Sequence, residues 1–165
     1  MTLPAVATIL DRDLRALVRE VEAYPNERDL WATRPGITNV GGTLVLHLAG
    51  NLQHYIGARL GDTGYVRDRA AEFARRDVPR SELLREIEAA QSAVRTVFGR
   101  SVLPDPDADF PEVIAGKNVR TGEYLVHLTT HFSYHLGQLD YHRRQVTGND
   151  TTVDAMQPAE LSTRR

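Results

Sequence analysis

Histidine is the residue type in this sequence best suited to chemistry, and the six histidines fall into two groups. On a helix that turns about 100° per residue, the four histidines between residues 127 and 142 lie within an arc of roughly 80°, beside the apolar stripe of that segment. At a spacing of four residues, two imidazoles on one helix face can chelate a single ion. His131 and His135 have that spacing, so they are the first candidate metal ligands. The first group is His47 and His54, and the second is His127, His131, His135 and His142.

A third ligand has to come from another helix, and His47 is the best candidate. It interrupts the otherwise apolar run of residues 44–49, where a buried, unpaired imidazole would be costly. The interval from His127 to His142 corresponds to about 22 Å of helix, so one ion can use only an adjacent pair of that row. A histidine flanked by leucines is also typical of a hydrogen-bonded core residue. From the residues alone, both interpretations stay open.

Apolar residues at steps of three and four predict the helices that must position these side chains. The first helix covers residues 6–24 and ends at Pro25, and a loop over 26–42 follows it. The second helix covers residues 44–56 and ends before Gly61.

Two further helices are predicted in the second half of the chain. The third begins at Ser81 as its N-cap and ends at Gly99. A long, proline-containing loop occupies residues 100–120, and Thr121 is expected to cap a fourth helix that runs to about Val146.

These elements predict an all-α fold, a four-helix bundle with a long loop between helices three and four. With 165 residues, 41% of them hydrophobic and 25% charged, the chain suits one globular domain. We expect that domain to cover residues 1–148. Residues 149–165 are polar and aperiodic, which predicts a disordered tail.

Composition and charge exclude several classes of function. A formal net charge of -2 does not suit a general nucleic-acid binder. No apolar run reaches the roughly 18 residues of a membrane span, and Met1–Pro4 has no basic flank typical of a signal peptide, so we expect a cytoplasmic protein. Because cysteine is absent, a bound metal would have to be held by nitrogen and oxygen.

Two segments carry a resemblance to a known family. Residues 42–52 read GTLVLHLAGNL and contain His47, and residues 131–144 read HFSYHLGQLDYHRR. Over residues 5–148 the chain resembles the DinB/YfiT-like superfamily of small metal-binding four-helix proteins. The stretch RDRAAEF, residues 67–73, is similar to a recurrent segment of one functionally unassigned branch.

The resemblance implies a metal site formed by His47, His131 and His135 that binds zinc, nickel or iron. Other members of the superfamily use this site to activate a small thiol for transfer or isomerisation, which implies a metal-dependent thiol transferase. A hydrolase that uses metal-bound water is the other enzymatic expectation. A non-catalytic metal-binding protein and a helical interaction module are the alternatives. Small bundles often pair through an apolar helix face, so a homodimer is a further expectation, which the sequence alone does not decide.

Three polar residues share the helix faces of the candidate ligands. Asn51 lies one turn after His47, Tyr55 lies one turn further, and Gln138 lies three residues after His135. They are candidates for orienting the ligands or contacting a substrate. Helix–helix hydrogen bonds for the two amides, and a core position for the tyrosine, are the alternatives.

The arginines receive a simpler interpretation. Those in residues 67–77 alternate with acidic residues, which predicts a solvated, ion-paired surface; an anchor for an anionic thiol or carboxylate is the alternative. Arg143 and Arg144 lie near the end of the fourth helix, where its dipole favours positive charge.

Overall fold

The fold is all-α, as the sequence predicts. A computed structural model describes residues 3–161, and this part of the chain contains helices and no strands. None of its helices is both long and apolar enough to cross a membrane. The helices in chain order are α1 (Leu3–Glu22), α2 (Gly41–Leu52), α3 (Arg59–Gly61), α4 (Arg69–Ala74), α5 (Arg80–Phe98) and α6 (Thr121–Thr147).

Four long helical segments surround one core and correspond to the four predicted helices. α1 packs against α5 and α6, and α2 packs against the same two helices. The apolar stripe of α1, from Val6 to Val21, is buried in this core. Every residue of α2 is buried, which fits its nearly continuous apolar sequence. His47 therefore lies on the most enclosed helix of the molecule.

Two predicted helix caps are wrong by one or two residues. Ser81 lies inside α5, whose N-cap is Pro79. Thr121 is the first residue of α6 and its N-cap is Arg120, whose backbone N–H donates to the Glu123 carboxylate at 3.4 Å. In both cases the N-cap is a residue other than Ser or Thr. The preference for a hydroxyl side chain at the N-cap therefore predicts a helix start that is too late in the sequence.

The structure contains elements that the periodicity did not predict. α2 continues through a π-helical segment, Gln53–Ala58, into α3. The helix α4 begins after Asp68, whose carboxylate accepts from the Ala71 backbone N–H at 2.9 Å. A 3-10 helix, Glu27–Trp31, lies within the predicted loop before α2.

The long loop between α5 and α6 is tied to the core at its middle. Phe110 is buried, and its ring centroid lies 4.6 Å from that of Tyr124. Glu112 accepts from His54 Nε2 at 2.9 Å, so the loop is also joined to the π-helical segment.

The polar segment after α6 was predicted to be a disordered tail. As far as Leu161 it lies along α1, where Arg19 donates to the Val153 carbonyl at 2.9 Å and to the Glu160 carboxylate at 3.3 Å. Arg143 was assigned to the helix dipole, and that interpretation is incomplete. Its guanidinium is fully buried, donates to Glu20 at 2.6 Å, and also holds the tail through the Thr151 carbonyl at 2.9 Å.

Candidate metal centre

Three histidines from two packed helices meet at one point. His47 comes from α2, and His131 and His135 come from adjacent turns of α6. One ring nitrogen from each lies within 4.8 Å of the others, and the Nε2 atoms of His47 and His131 are 3.2 Å apart. Two nitrogens bound to one tetrahedral zinc ion at about 2.0–2.1 Å would lie about 3.3 Å apart. This group of imidazoles could therefore hold a metal ion.

Hydrogen bonds at the far side of two rings orient their lone pairs toward this point. The Nδ1 atom of His47 lies 3.0 Å from the Glu72 carboxylate, which can only accept, and 3.4 Å from Arg67 Nη2, which can only donate. The shorter contact favours the proton on Nδ1, which directs the Nε2 lone pair toward the point where the three rings meet. In the same way, His135 donates from Nδ1 to the Gln138 amide oxygen at 2.7 Å. Such partners fix the tautomer of metal-binding histidines.

The third imidazole is held neutral by its surroundings. Burial, and then the proximity of His135 and His47, lowers the pKa of His131 to about 4. Its Nδ1 atom is buried and has no hydrogen-bond partner within residues 3–161. In the metal-free protein, Nε2 of His131 can donate to the Nε2 lone pair of His47 across 3.2 Å, and a cation bound between the two nitrogens would replace that proton. The donor set thus fits a divalent ion that prefers imidazole.

A buried ion pair that the sequence pattern does not predict supports His47. Arg67 donates to both oxygens of Glu72, from Nε at 2.6 Å and from Nη2 at 2.8 Å. The side chains are 8% and 6% exposed, so the prediction of a solvated surface is wrong for this pair. Burial raises the pKa of Glu72, but hydrogen bonds from Arg67 and His47 outweigh it, and the net pKa is lowered. The carboxylate therefore stays ionised.

The other arginines of that stretch do behave as a surface. Arg69 and Arg76 are exposed, and Arg75 pairs with Glu82 where both side chains remain accessible. The signal that could have separated Arg67 is its partner, since Glu72 belongs to a short helix of apolar and small residues that packs against α2.

A pocket of about 420 Å³ opens over the three histidines. Asn51 and Tyr55, which the sequence placed on the ligand face, both line it. The Asn51 side-chain oxygen is buried and has no partner among the residues described. Tyr55 lies beneath the Arg67 guanidinium, 5.5 Å from the ring centroid. Gln138 does not line this pocket but holds His135.

The remaining histidines have separate environments. His127 is exposed at the pocket edge, with its ring centroid 5.9 Å from that of His131. His54 binds Glu112 in the long loop. His142 is buried, where Nε2 donates to the Ala32 carbonyl at 2.9 Å and Nδ1 accepts from the Tyr24 hydroxyl at 2.7 Å. None of them shares the point at which the other three meet.

Comparison with known proteins adds no assignment: no protein-family model, curated protein or solved structure matches this chain. Its function is therefore inferred from the residues of the site.

Proposed function

We propose that this chain is a divalent-metal-binding protein of the DinB/YfiT-like four-helix-bundle type, and that it acts as a metal-dependent thiol transferase. The single observation that carries the proposal is the meeting of His47, His131 and His135, with ring nitrogens within 4.8 Å of one another. Three imidazoles suit zinc, nickel or ferrous iron.

Access to the site favours catalysis over a purely structural ion. Structural zinc sites use four protein ligands, whereas catalytic sites keep a position open. Here three histidines border a pocket of about 420 Å³, and no carboxylate lies among its described lining residues. A small molecule therefore has room beside the histidines.

The charge of the pocket favours an anionic ligand such as a thiolate. Arg69 lines it and is exposed, whereas the charge of Arg67, which also lines it, is balanced by Glu72. The histidines are uncharged in their metal-binding form. A divalent ion held by these rings supplies Lewis acidity, which favours the thiolate form of a small thiol. The thiol must come from solution, because the sequence has no cysteine.

The first test is metal content. We expect the purified protein to bind one equivalent of zinc or nickel, measured by elemental analysis after dialysis. His135→Ala should lose that metal, and the matched control His54→Ala should keep it, because His54 hydrogen-bonds Glu112 away from the cluster. Stoichiometric metal in the His135→Ala protein contradicts the proposed ligand set.

The second test separates the thiol transferase from its alternatives. The metal-loaded protein is incubated with small thiols and electrophilic acceptors, and conjugates are detected by mass spectrometry. We expect conjugation that His135→Ala abolishes. Metal-dependent ester cleavage without conjugation would instead indicate a hydrolase, and bound metal without turnover would indicate a non-catalytic metal-binding protein.

A further inference from the structure

One of the proposed ligands, His47, belongs to a hydrogen-bonded triad of buried side chains, which also contains Glu72 and Arg67. Arg67 reaches both oxygens of Glu72, at 2.6 and 2.8 Å, and Glu72 reaches His47 Nδ1 at 3.0 Å. Since both oxygens are held by the guanidinium, the carboxylate cannot rotate away without breaking a charge-assisted pair. The histidine thus meets an acceptor of fixed position.

The backbone of α2 leaves room for this carboxylate at one residue. A Cβ atom built on Gly50 would lie 2.4 Å from Glu72 Oε1. Gly50 follows His47 by three residues, so it lies on nearly the same face of α2. Any larger residue there would push the carboxylate out of its place beside His47.

The arginine end of this triad is also held in place. Arg67 lies over the Tyr55 ring, 5.5 Å from its centroid, and directly precedes Asp68, the N-cap of α4. The ring of Phe73 packs against His47 at a centroid distance of 4.9 Å. Removing two charges from water is costly, and a buried pair adds little stability beyond what apolar residues would give. Its place beside a candidate ligand therefore calls for a positioning role.

We propose that Arg67 and Glu72 are positioning residues that fix His47 as the Nδ1–H tautomer and direct its Nε2 lone pair at His131 and His135. This inference rests on the proposed metal centre for its functional meaning. It concerns the metal-free protein as well, because the hydrogen bonds that set the tautomer involve protein side chains alone.

The tautomer is measured directly on the metal-free protein at neutral pH. Two-bond ¹H–¹⁵N NMR spectra distinguish protonated from unprotonated ring nitrogens of each histidine. We expect His47 of the wild type to be protonated at Nδ1. In Glu72→Gln the amide can donate to Nδ1, so His47 should shift toward the Nε2–H form. Gly50→Ala, which alters no member of the triad, should also weaken the preference of His47 for the Nδ1–H form.

Metal affinity is measured by titrating zinc chloride into each protein in competition with a chromogenic chelator. Loss of a residue that orients a metal-binding histidine typically lowers affinity by about 10- to 100-fold, which we expect for Glu72→Gln. Matched controls are Glu82→Gln, which removes the accessible partner of Arg75, and Gly137→Ala, where an added Cβ meets no atom within 4 Å. Both controls should bind zinc within twofold of the wild type, and thermal unfolding verifies that every variant is folded.

The results separate this inference from the proposed function. A wild type that binds neither zinc nor nickel contradicts the proposed metal centre. The NMR spectra still decide whether the Arg67–Glu72–His47 triad sets the tautomer of His47. The inference is overturned if wild-type His47 is protonated at Nε2, or if both variants leave its tautomer unchanged. Zinc affinity of Glu72→Gln within twofold of a zinc-binding wild type would overturn it equally.

Discussion

At the scale of single residues, the environment of each histidine decides what its imidazole can do. His47 and His135 each donate from Nδ1 to a side-chain oxygen, which leaves Nε2 as a ligand atom. His131 has no such partner in residues 3–161, and burial and neighbouring imidazoles keep it neutral instead. His142 uses both nitrogens for hydrogen bonds inside the core. Identical side chains thus divide into candidate ligands and structural residues.

The lowered pKa of His131 predicts how acid affects the metal-free protein. An unfolded histidine has a pKa of about 6.5, and the folded value is about 4. The unfolded state therefore binds more protons between these values, and stability from this residue is present above about pH 6.5 and lost as pH falls toward 4. We expect the unfolding free energy of the wild type to fall over this interval more steeply than that of His131→Gln, measured by urea denaturation with chelator present.

Taking the difference between the two proteins removes contributions that they share. Burial raises the pKa of Glu20 from 4.5 to about 7, so stability from that group is present below 4.5 and lost as pH rises through 7. This opposes the histidine effect in both proteins equally. Parallel curves for the wild type and His131→Gln would contradict the lowered pKa.

At the scale of elements, α2 is positioned by glycines that let its neighbours come close. A Cβ on Gly42 would lie 2.3 Å from the Trp31 ring, and one on Gly41 would lie 2.6 Å from the Tyr24 hydroxyl. Trp31 belongs to the 3-10 helix before α2, so this contact sets where α2 begins relative to the loop. A shift of the start of α2 would also move His47, which follows Gly42 by five residues on the same helix.

We therefore predict that Gly42→Ala destabilises the protein by about 1–3 kcal/mol, because the added methyl group overlaps a rigid indole ring. Chemical denaturation gives the free energy. The emission of Trp31, the one tryptophan in the sequence, should shift to longer wavelength as its ring becomes more exposed.

Gly137→Ala serves as the control for this substitution. Its Cβ meets open space, and alanine favours the helix by up to about 1 kcal/mol, so its stability should be unchanged or higher. A Gly42→Ala protein as stable as the wild type would show that Trp31 moves aside without cost.

At the scale of the whole molecule, one buried arginine joins distant parts of the chain. Arg143 on α6 donates to Glu20 on α1 at 2.6 Å and to the Thr151 carbonyl of the tail at 2.9 Å. Both charged side chains of the pair are fully buried. The tail is thereby held on the side of α1 that also contacts α6.

Removing one partner of this pair should be costly. We predict that Arg143→Met lowers the free energy of unfolding by about 3–5 kcal/mol at pH 8, because Glu20 is left buried without its counter-charge. The loss should be smaller at pH 5, where Glu20, whose pKa is raised by burial, can take up a proton. Limited proteolysis should also cut the tail faster in the variant.

The neighbouring Arg144→Met is the matched control. Arg144 pairs with Asp140 near the surface and donates to the Asp150 carbonyl of the tail at 3.0 Å. Such accessible contacts contribute little, so its stability should stay near that of the wild type, and it is a control for stability rather than for proteolysis of the tail. Equal losses for the two variants would contradict the role of burial.

The sequence by itself predicted the four long helical segments and singled out three histidines as candidate ligands. Steps of three and four between apolar residues, such as Leu10, Leu14 and Leu17, are a local signal of an amphipathic helix. The spacing of His131 and His135 is local too, since helix geometry alone puts residues four apart on one face. The candidate ligand set follows from this spacing together with the family resemblance of residues 42–52 and 131–144.

Only the tertiary structure decided which charges are buried. Arg67 and Arg75 look alike in sequence, yet one is enclosed beside His47 and the other is accessible. The difference arises because α4 packs on α2 at Gly50, a contact between segments about twenty residues apart whose packing no local pattern specifies. Burial depends on which surfaces of the helices pack together. The pKa of each buried group and the hydrogen-bond partners of each candidate ligand therefore depend on the tertiary structure as well.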